Sequence, residues 1–456
     1  MTLNTHGMRN RSNLIPFLSL CLALTVTCSL AWSAGDAPAD EMRFIQVAAK
    51  TKEDRSRIVD MGMSIEAVRS DSVWGFANGK SIKRLSDAGI PVIGNYDYKV
   101  GERDQPTGER AFDFPPADAR FHNFSRTVAT LQDLHNKHSD ITKLETIGKS
   151  VEGRDLWALH INTTPASLQS GTSAKPGAVF MGDHHAREHV SVEIPLMFAQ
   201  YLLDNLADPK IAAMIDSRDI WIIPMVNPDG AEYDIQNGTY AWWRKNRRNN
   251  GDGTYGVDLN RNYGFEWGTG GSDKDTSSDI YMGPAPFSEP ETLAVKNFID
   301  AHLNTKVLLT FHTFSELVLY PWGHTYDAVG TTKDLDVFKK MATTMAAWNH
   351  YTAEQSSALY IASGDTTDWA YGAHGIFAFT FELSPSSMSD GGFYPGAAAI
   401  DKVFNDNLKP CLYLLDTADD PYKVTQTNPT GFLRNYVEPS LSEEAMWNDN
   451  PLTSLR

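Results

Sequence analysis

The segment Gly182-Asp183-His184-His185-Ala186-Arg187-Glu188-His189 sets a histidine and a glutamate three residues apart, directly after an apolar run and directly before a helical stretch. At a strand-to-helix turn, side chains with that spacing face one point, as two ligands of a metal ion must. A catalytic zinc takes a third protein ligand and keeps its last position open, and His312 closes the apolar run 307–311 in the same manner. A lone histidine is more often structural than a ligand. Three such groups at the ends of strands, where open α/β sheets place their sites, reverse that expectation. Glu382 ends another apolar run, 377–381; a carboxyl group desolvated there rises in pKa and suits general-base duty. Asn260 and Arg261 are adjacent and could grip a carboxylate by charge-assisted, bidentate bonds, although Asn-Arg-Asn is also an ordinary polar turn. The run Trp243-Arg244-Lys245-Asn246-Arg247-Arg248 reads, by itself, as a solvated basic stretch or a weak polyanion patch.

Positioning these groups takes a sheet covered on both faces. Residues 178–181, 220–226, 307–311 and 377–381 are continuous rather than alternating apolar runs, the mark of strands buried on both sides. Helical stretches at 191–206 and 290–302 lie between them. Residues 111–420 therefore read as an α/β unit, a mixed sheet sandwiched by helices. Residues 42–99 read as a smaller α/β unit, with strands at 42–49, 67–75 and 91–98 and helices at 51–62 and 79–88. Between the units runs Val100-Gly101-Glu102-Arg103-Asp104-Gln105-Pro106-Thr107-Gly108-Glu109-Arg110. It suits a processing site, though an interdomain linker needs no more. Turn-formers predominate from Pro421, so 421–456 is expected to be a short extension or a partly disordered tail.

At the N-terminus, Arg9 and Arg11 precede a largely apolar stretch at 14–30 and the small residues of Ala31-Trp32-Ser33-Ala34, the layout of a secretory signal at 1–34. Ser19, Thr25, Thr27 and Ser29 interrupt the stretch, which argues against an anchor helix of ~20 apolar residues. Signal removal takes Cys21 and Cys28 with it and leaves Cys411 alone in apolar surroundings. No internal disulfide is then expected, and Cys411 reads as a small buried hydrophobe. The net charge of -17, all of it beyond residue 110, argues against nucleic acid and anionic membranes as partners.

In their order and spacing these clusters resemble the carboxypeptidase A/B group of zinc metallocarboxypeptidases, and within it the secreted bacterial carboxypeptidase T type. The resemblance runs from about Phe114 to Tyr422. It rests on His185-x-x-Glu188, Trp243-Arg244-Lys245-Asn246-Arg247, Asp258-x-Asn260-Arg261-Asn262, Phe311-His312-Thr313, Asp368-Trp369-Ala370-Tyr371 and residues 379–383. It implies a twisted, mixed eight-stranded sheet sandwiched by helices at 111–420, preceded by a propeptide domain with its activation linker at 35–110. It further implies Zn²⁺ held by His185, Glu188 and His312, the His₂Glu set known for carboxypeptidase A. Glu382 would be the general base that passes its proton to the leaving amine, and Arg244 would help stabilise the oxyanion. Asn260 and Arg261 would hold the substrate's terminal carboxylate, Arg187 would make an auxiliary substrate contact, and Tyr360 would close over the end residue as a lid.

Thr367 stands where A-type enzymes are apolar and B-type enzymes acidic. Asp365 nearby could receive a lysine or arginine side chain, or could simply cap a turn, while Leu319, Ala362 and Thr380 leave room for an apolar one. Phe314 replaces the tyrosine of many digestive relatives, at the expense of one peripheral substrate hydrogen bond. His184 and His189 match no ligand position. The expectation is a secreted, monomeric zymogen that an activating protease converts into an exopeptidase of mixed apolar and basic preference, with no membrane attachment after signal removal. The sequence gives no indication of Ca²⁺, although its acidic surface leaves room for it. Rival readings are a hydrolase of peptidoglycan stem peptides and a pseudoenzyme that only captures peptide C-termini; Glu382 speaks against the second.

Overall fold

The computed structural model describes residues 41–96 and 113–426. The expected signal at 1–34, the linker at 100–110 and the chain beyond residue 426 lie outside the described residues.

The first unit comprises β1 (Met42–Ala48), α1 (Lys52–Asp60), β2 (Ser64–Val68), β3 (Ser72–Asn78), α2 (Gly79–Asp87) and β4 (Val92–Tyr96). Its sheet has the order β2-β3-β1-β4. Thr51 and Asp54 form a reciprocal capping box that starts α1, and Asn78 caps α2. The single strand expected at 67–75 is instead two, joined by a tight turn in which Arg69 N donates to Ser72 O at 2.8 Å. The polar Arg69-Ser70-Asp71-Ser72 run is that turn, with apolar residues of strand character on either side of it.

The larger unit holds α3 (Phe124–Lys137), β5 (Thr142–Lys149), β6 (Asp155–Ile161), α4 (Pro165–Ser170), β7 (Gly177–Gly182), α5 (Val190–Asp204), α6 (Pro209–Ser217), β8 (Asp219–Ile223) and α7 (Pro228–Asp234). It continues with α8 (Pro290–Ala301), β9 (Thr305–Thr313), β10 (Leu317–Tyr320), α9 (Thr332–Asn349), β11 (Thr352–Gln355), α10 (Thr366–His374), β12 (Phe377–Leu383) and α11 (Ile400–Thr417). Its eight-stranded sheet has the order β11-β10-β12-β9-β7-β8-β6-β5, parallel through β12, β9, β7 and β8 and antiparallel at β10/β12, β8/β6 and β6/β5. Every residue of β7 and β8 is buried, as the continuous apolar runs require. Alternate residues feed two cores. Phe180, Ile222, Leu309 and Phe379 pack with α5, α9 and α11, whereas Val179, Trp221, Leu308 and Ala378 pack with α8 and α10. The extension expected from Pro421 begins as part of this body. Residues Pro421–Thr425 form a packed turn, Val424 joins the core and Tyr422 Oη donates to Asp334 at 2.5 Å. Cys411 is buried and free.

Candidate active site

The parallel strands β7, β9 and β12 deliver their carboxyl ends to one place. Gly182 ends β7, and a Cβ there would come within 2.0 Å of Ser191 O; only glycine lets the strand pass so near the start of α5. His185 and Glu188 follow in the turn that leads into α5. On the neighbouring strands, residue 382 of β12 pairs with residue 312 of β9, so Glu382 and His312 stand side by side.

His185, Glu188 and His312 are buried, and one ligand atom from each lies within 4.8 Å of the others. His312 Nδ1 faces His185 Nδ1 at 3.1 Å and Glu188 Oε2 at 3.0 Å, while His185 Nδ1 is 2.9 Å from Glu188 Oε1. Two ring nitrogens aimed at each other beside a carboxylate suit a shared cation, and His₂Glu is a zinc donor set. Burial works against ionisation of Glu188, but His185 and His312 outweigh it and hold the carboxyl below its usual range. His185 turns its other nitrogen, Nε2, to Asp258 Oδ1 at 3.1 Å, the outer contact that orients a metal-binding imidazole.

Asp258 also serves Arg244, whose Nε and Nη2 both lie 3.0 Å from Asp258 Oδ2. Burial opposes the charge on Asp258, yet Arg244, His185 and Arg261 hold its carboxyl well below the normal range. Arg244 comes within 3.9 Å of Glu188, so one guanidinium reaches both Asp258 and the donor set. The Glu382 carboxyl is raised well above its ordinary value, first by burial and then by Glu188, with Arg244 pulling the other way. That is the environment of a group that takes up a proton. The rest of the basic run is no surface patch: Arg247 stacks on Tyr233 at 3.6 Å and on Trp243 at 4.7 Å, and Lys245 is buried and lowered to about 8 by desolvation.

These groups open onto a cavity of about 220 Å³. Asn260, Arg261, Tyr360, Asp365 and Thr367 line it with His185, Glu188, Arg244 and Glu382, as do Leu319, Ala362 and Thr380. Asn260 Oδ1 accepts from Thr366 N at 2.9 Å, and Arg261 Nε donates to Gly271 O at 2.9 Å. Asp365 does cap a helix: its Oδ1 accepts from Thr367 N, Thr367 Oγ1 and Asp368 N. Its Oδ2 is buried and has no hydrogen-bond partner among the described residues. Phe314 is buried edge-to-face against Phe393 at the cavity wall. His184 contacts Tyr263 Oη and Thr310, and His189 binds Asp234, so both are structural.

Arg187 is the exception. It does not line the cavity but is fully buried under the first unit, its Nη2 2.7 Å from Glu66 and its Nη1 3.1 Å from Asp279. Its guanidinium lies between the rings of Phe76, at 4.6 Å, and Phe393, at 4.5 Å. Residues Ile65 to Arg69, on β2 and the turn after it, form one wall of the cavity. From α1, Arg55 donates to Leu359 O and Ala358 O at 2.5 and 2.7 Å, and Ser56 Oγ accepts from Ile361 N at 2.8 Å. The backbone on both sides of Tyr360 is thereby held. From α2, Lys80 and Arg84 pair with Asp275 and Asp273. The roles of Asp258 and Glu66 escaped the sequence reading. Asp258 sits inside a motif that was noticed for its neighbours, and nothing local marks Glu66.

A family profile described as zinc carboxypeptidase matches residues 127–410. The chain is 35% identical over 397 residues to a zinc carboxypeptidase of Saccharothrix mutabilis subsp. capreolus, covering 83% of this chain and 89% of that one. It is 33% identical over 281 residues to a metallocarboxypeptidase A-like protein of Trichophyton verrucosum, a match spanning 59% of this chain and 64% of the fungal one. Among solved structures it resembles in fold the carboxypeptidase A of Helicoverpa armigera, with a TM-score of 0.66 at 24% identity, over 84% of this chain and 98% of that one.

Proposed function

On the premise that the chain belongs to the zinc carboxypeptidase family, we propose that it is exported as an inhibited precursor and, once cut near Arg103 or Arg110, releases single apolar or basic residues from the C-termini of peptides. Metallocarboxypeptidase activity and a zinc requirement follow from the family; export, the precursor state, an activating protease, a monomeric form and the preference are the proposed part. When bound at His185, Glu188 and His312, zinc supplies Lewis acidity toward the scissile carbonyl and the attacking water.

The chain's own residues do the rest. Glu382 takes the proton of the attacking water and hands it to the leaving amine. Arg244, fixed by Asp258, faces the developing oxyanion. Asn260 and Arg261 hold the terminal carboxylate, and Tyr360 closes over the end residue. The mixed cavity wall, with Leu319 and Ala362 beside the unpartnered oxygen of Asp365, supports a pocket for both apolar and basic side chains.

The observation that carries the precursor reading is the burial of Arg187 beneath Glu66 and Phe76, with residues 65–69 walling the cavity. A substrate reaching Arg187 has to displace the first unit. The test compares zinc-loaded chain before and after cleavage in the linker on peptides of varied terminal residue, with mass spectrometry of the released amino acid. Cleavage should raise the rate sharply, and a chelator should abolish it until zinc is restored. Equal rates before and after cleavage would leave the first unit as a folding aid or spacer.

A further inference from the structure

Asp365 and Asp368 stand one helical turn apart at the start of α10, and their oxygens are used very differently. Asp365, a residue of the cavity wall, commits Oδ1 to three donors and leaves Oδ2 buried beside Gly323 with no hydrogen-bond partner. Asp368 is fully buried, and both of its oxygens are occupied: Gly323 N lies 2.9 and 3.0 Å away, His324 N 2.9 Å, and His324 Nδ1 2.6 Å. His324 is the partly exposed end of this row, its side chain 14% accessible and its ring packed on Trp322 and Phe265. Solvent thus reaches a titratable ring that is two carboxyl groups away from the inside of the cavity.

We propose that His324, acting through Asp368, sets the charge on Asp365 and thereby the pH above which the cavity accepts a basic terminal residue. This rests on reading the cavity as the pocket for the substrate's terminal side chain. The groups that face Asp365 are Asp368 from its own helix, Arg261 from the turn at 259–261, and the Tyr263 hydroxyl; those that face His324 are Asp368, Glu266 and Asp365. Burial, and then the charge of Asp368, push the Asp365 carboxyl up to about 7. Burial would lower His324, but its bond to Asp368 outweighs this and raises it. A protonated His324 offsets the charge of Asp368 and lets Asp365 ionise at lower pH; a neutral one leaves the two carboxylates to repel each other. His324 is a positioning residue, since it touches no substrate.

The experiment measures kcat/KM for acyl-dipeptides ending in Arg and in Leu between pH 5.5 and 9 (a range of about 3.5 units centred near neutrality), using the zinc-loaded protein with its linker cut. Arginine stays charged throughout, so the Arg/Leu ratio follows the enzyme alone. The ratio should rise with pH around a midpoint near that of Asp365. In His324→Gln the midpoint should move up by roughly one unit, lowering the ratio at pH 7 about fivefold while the Leu substrate is unaffected. His324→Asn, which keeps an amide donor near the Nδ1 position, should behave alike. If both variants keep the wild-type midpoint while Asp365→Asn flattens the ratio, the relay is refuted and the pocket reading stands. If Asp365→Asn leaves the rise intact, the pocket reading itself fails.

Discussion

Every near neighbour of the Asp258 carboxylate is a donor: Arg244 Nε and Nη2 at one oxygen, His185 Nε2 and Asn260 N at the other. Asp258→Asn keeps the shape, removes the charge and turns one acceptor into a donor, so either the arginine or the histidine side must lose its bond. Removing one partner of a buried ion pair costs about 3–5 kcal/mol. Asn retains one hydrogen bond worth ~1 kcal/mol, and Glu188, 3.9 Å from Arg244, supplies part of the missing charge. The net loss of stability should be about 2–3 kcal/mol, read as a lowered denaturant midpoint in metal-free protein. Loss of the outer partner of a ligating histidine weakens metal binding ~10–100-fold, read by competition with a chromophoric chelator. Burial opposes ionisation of Asp258, but Arg244, His185 and Arg261 outweigh it and hold the carboxylate ionised in the folded state well below its unfolded range. Its contribution is therefore present above the unfolded carboxylate pKa of ~3.9 and lost as pH falls further, and the variant should lose that acid dependence. Zinc affinity within twofold of wild type, with an unchanged midpoint, would refute the reasoning: His185 and Arg244 would then be held by the backbone alone.

Glu382→Gln should keep zinc binding and lower kcat by ~10²–10⁴, the span of general-base catalysis; a fully active variant removes Glu382 from the mechanism. In the uncut chain, Glu66→Ala should raise peptide hydrolysis several-fold by freeing one side of Arg187, and a rate equal to that of wild-type uncut chain would show that the ion pair does not hold the first unit down. The Glu291 carboxyl, raised to about 8 by burial, accepts from Val151 N and Asn246 Nδ2. Its folded-state value exceeds the unfolded one, so its stabilisation is full below pH ~4.5 and lost as pH rises toward 8. Glu291→Gln should flatten that decline in a pH series of denaturation midpoints, and an unchanged slope would place the titration elsewhere.

His185, Glu188, His312 and Glu382 were legible because they end or closely follow continuous apolar runs, and the runs became β7, β9 and β12, buried on both faces. The flanking strands β5 and β11 mix polar with apolar residues and carry no comparable signal, and the apolar stretches of β6 and β10 are only four residues long. The β2/β3 hairpin was missed because a polar turn between two stretches of strand character resembles one strand. The expectation of Arg187 as an auxiliary substrate contact gives no hint of its burial, which depends on Glu66, 121 residues earlier, and no local pattern encodes such a pairing. Asp365 was legible as both a cap and a pocket residue. That one oxygen is spent on the cap and the other bare is a matter of rotamer, which only the folded loop decides.

The pairing of Glu382 with His312 on adjacent parallel strands divides the protein's heritable variation into two kinds. Strands lie about 4.8 Å apart, so Glu382 and His312 occupy fixed lattice coordinates of the sheet. A one-residue slip of β12 would turn Glu382 to the opposite face, so this part tolerates neither insertion nor drift. Tyr360, Asp365 and Thr367 instead belong to one contiguous stretch of chain between β11 and the first turn of α10. That stretch can be exchanged as a cassette. Transplanting the 356–367 segment of a relative should carry over its taste in terminal residues and leave the chemistry where it is.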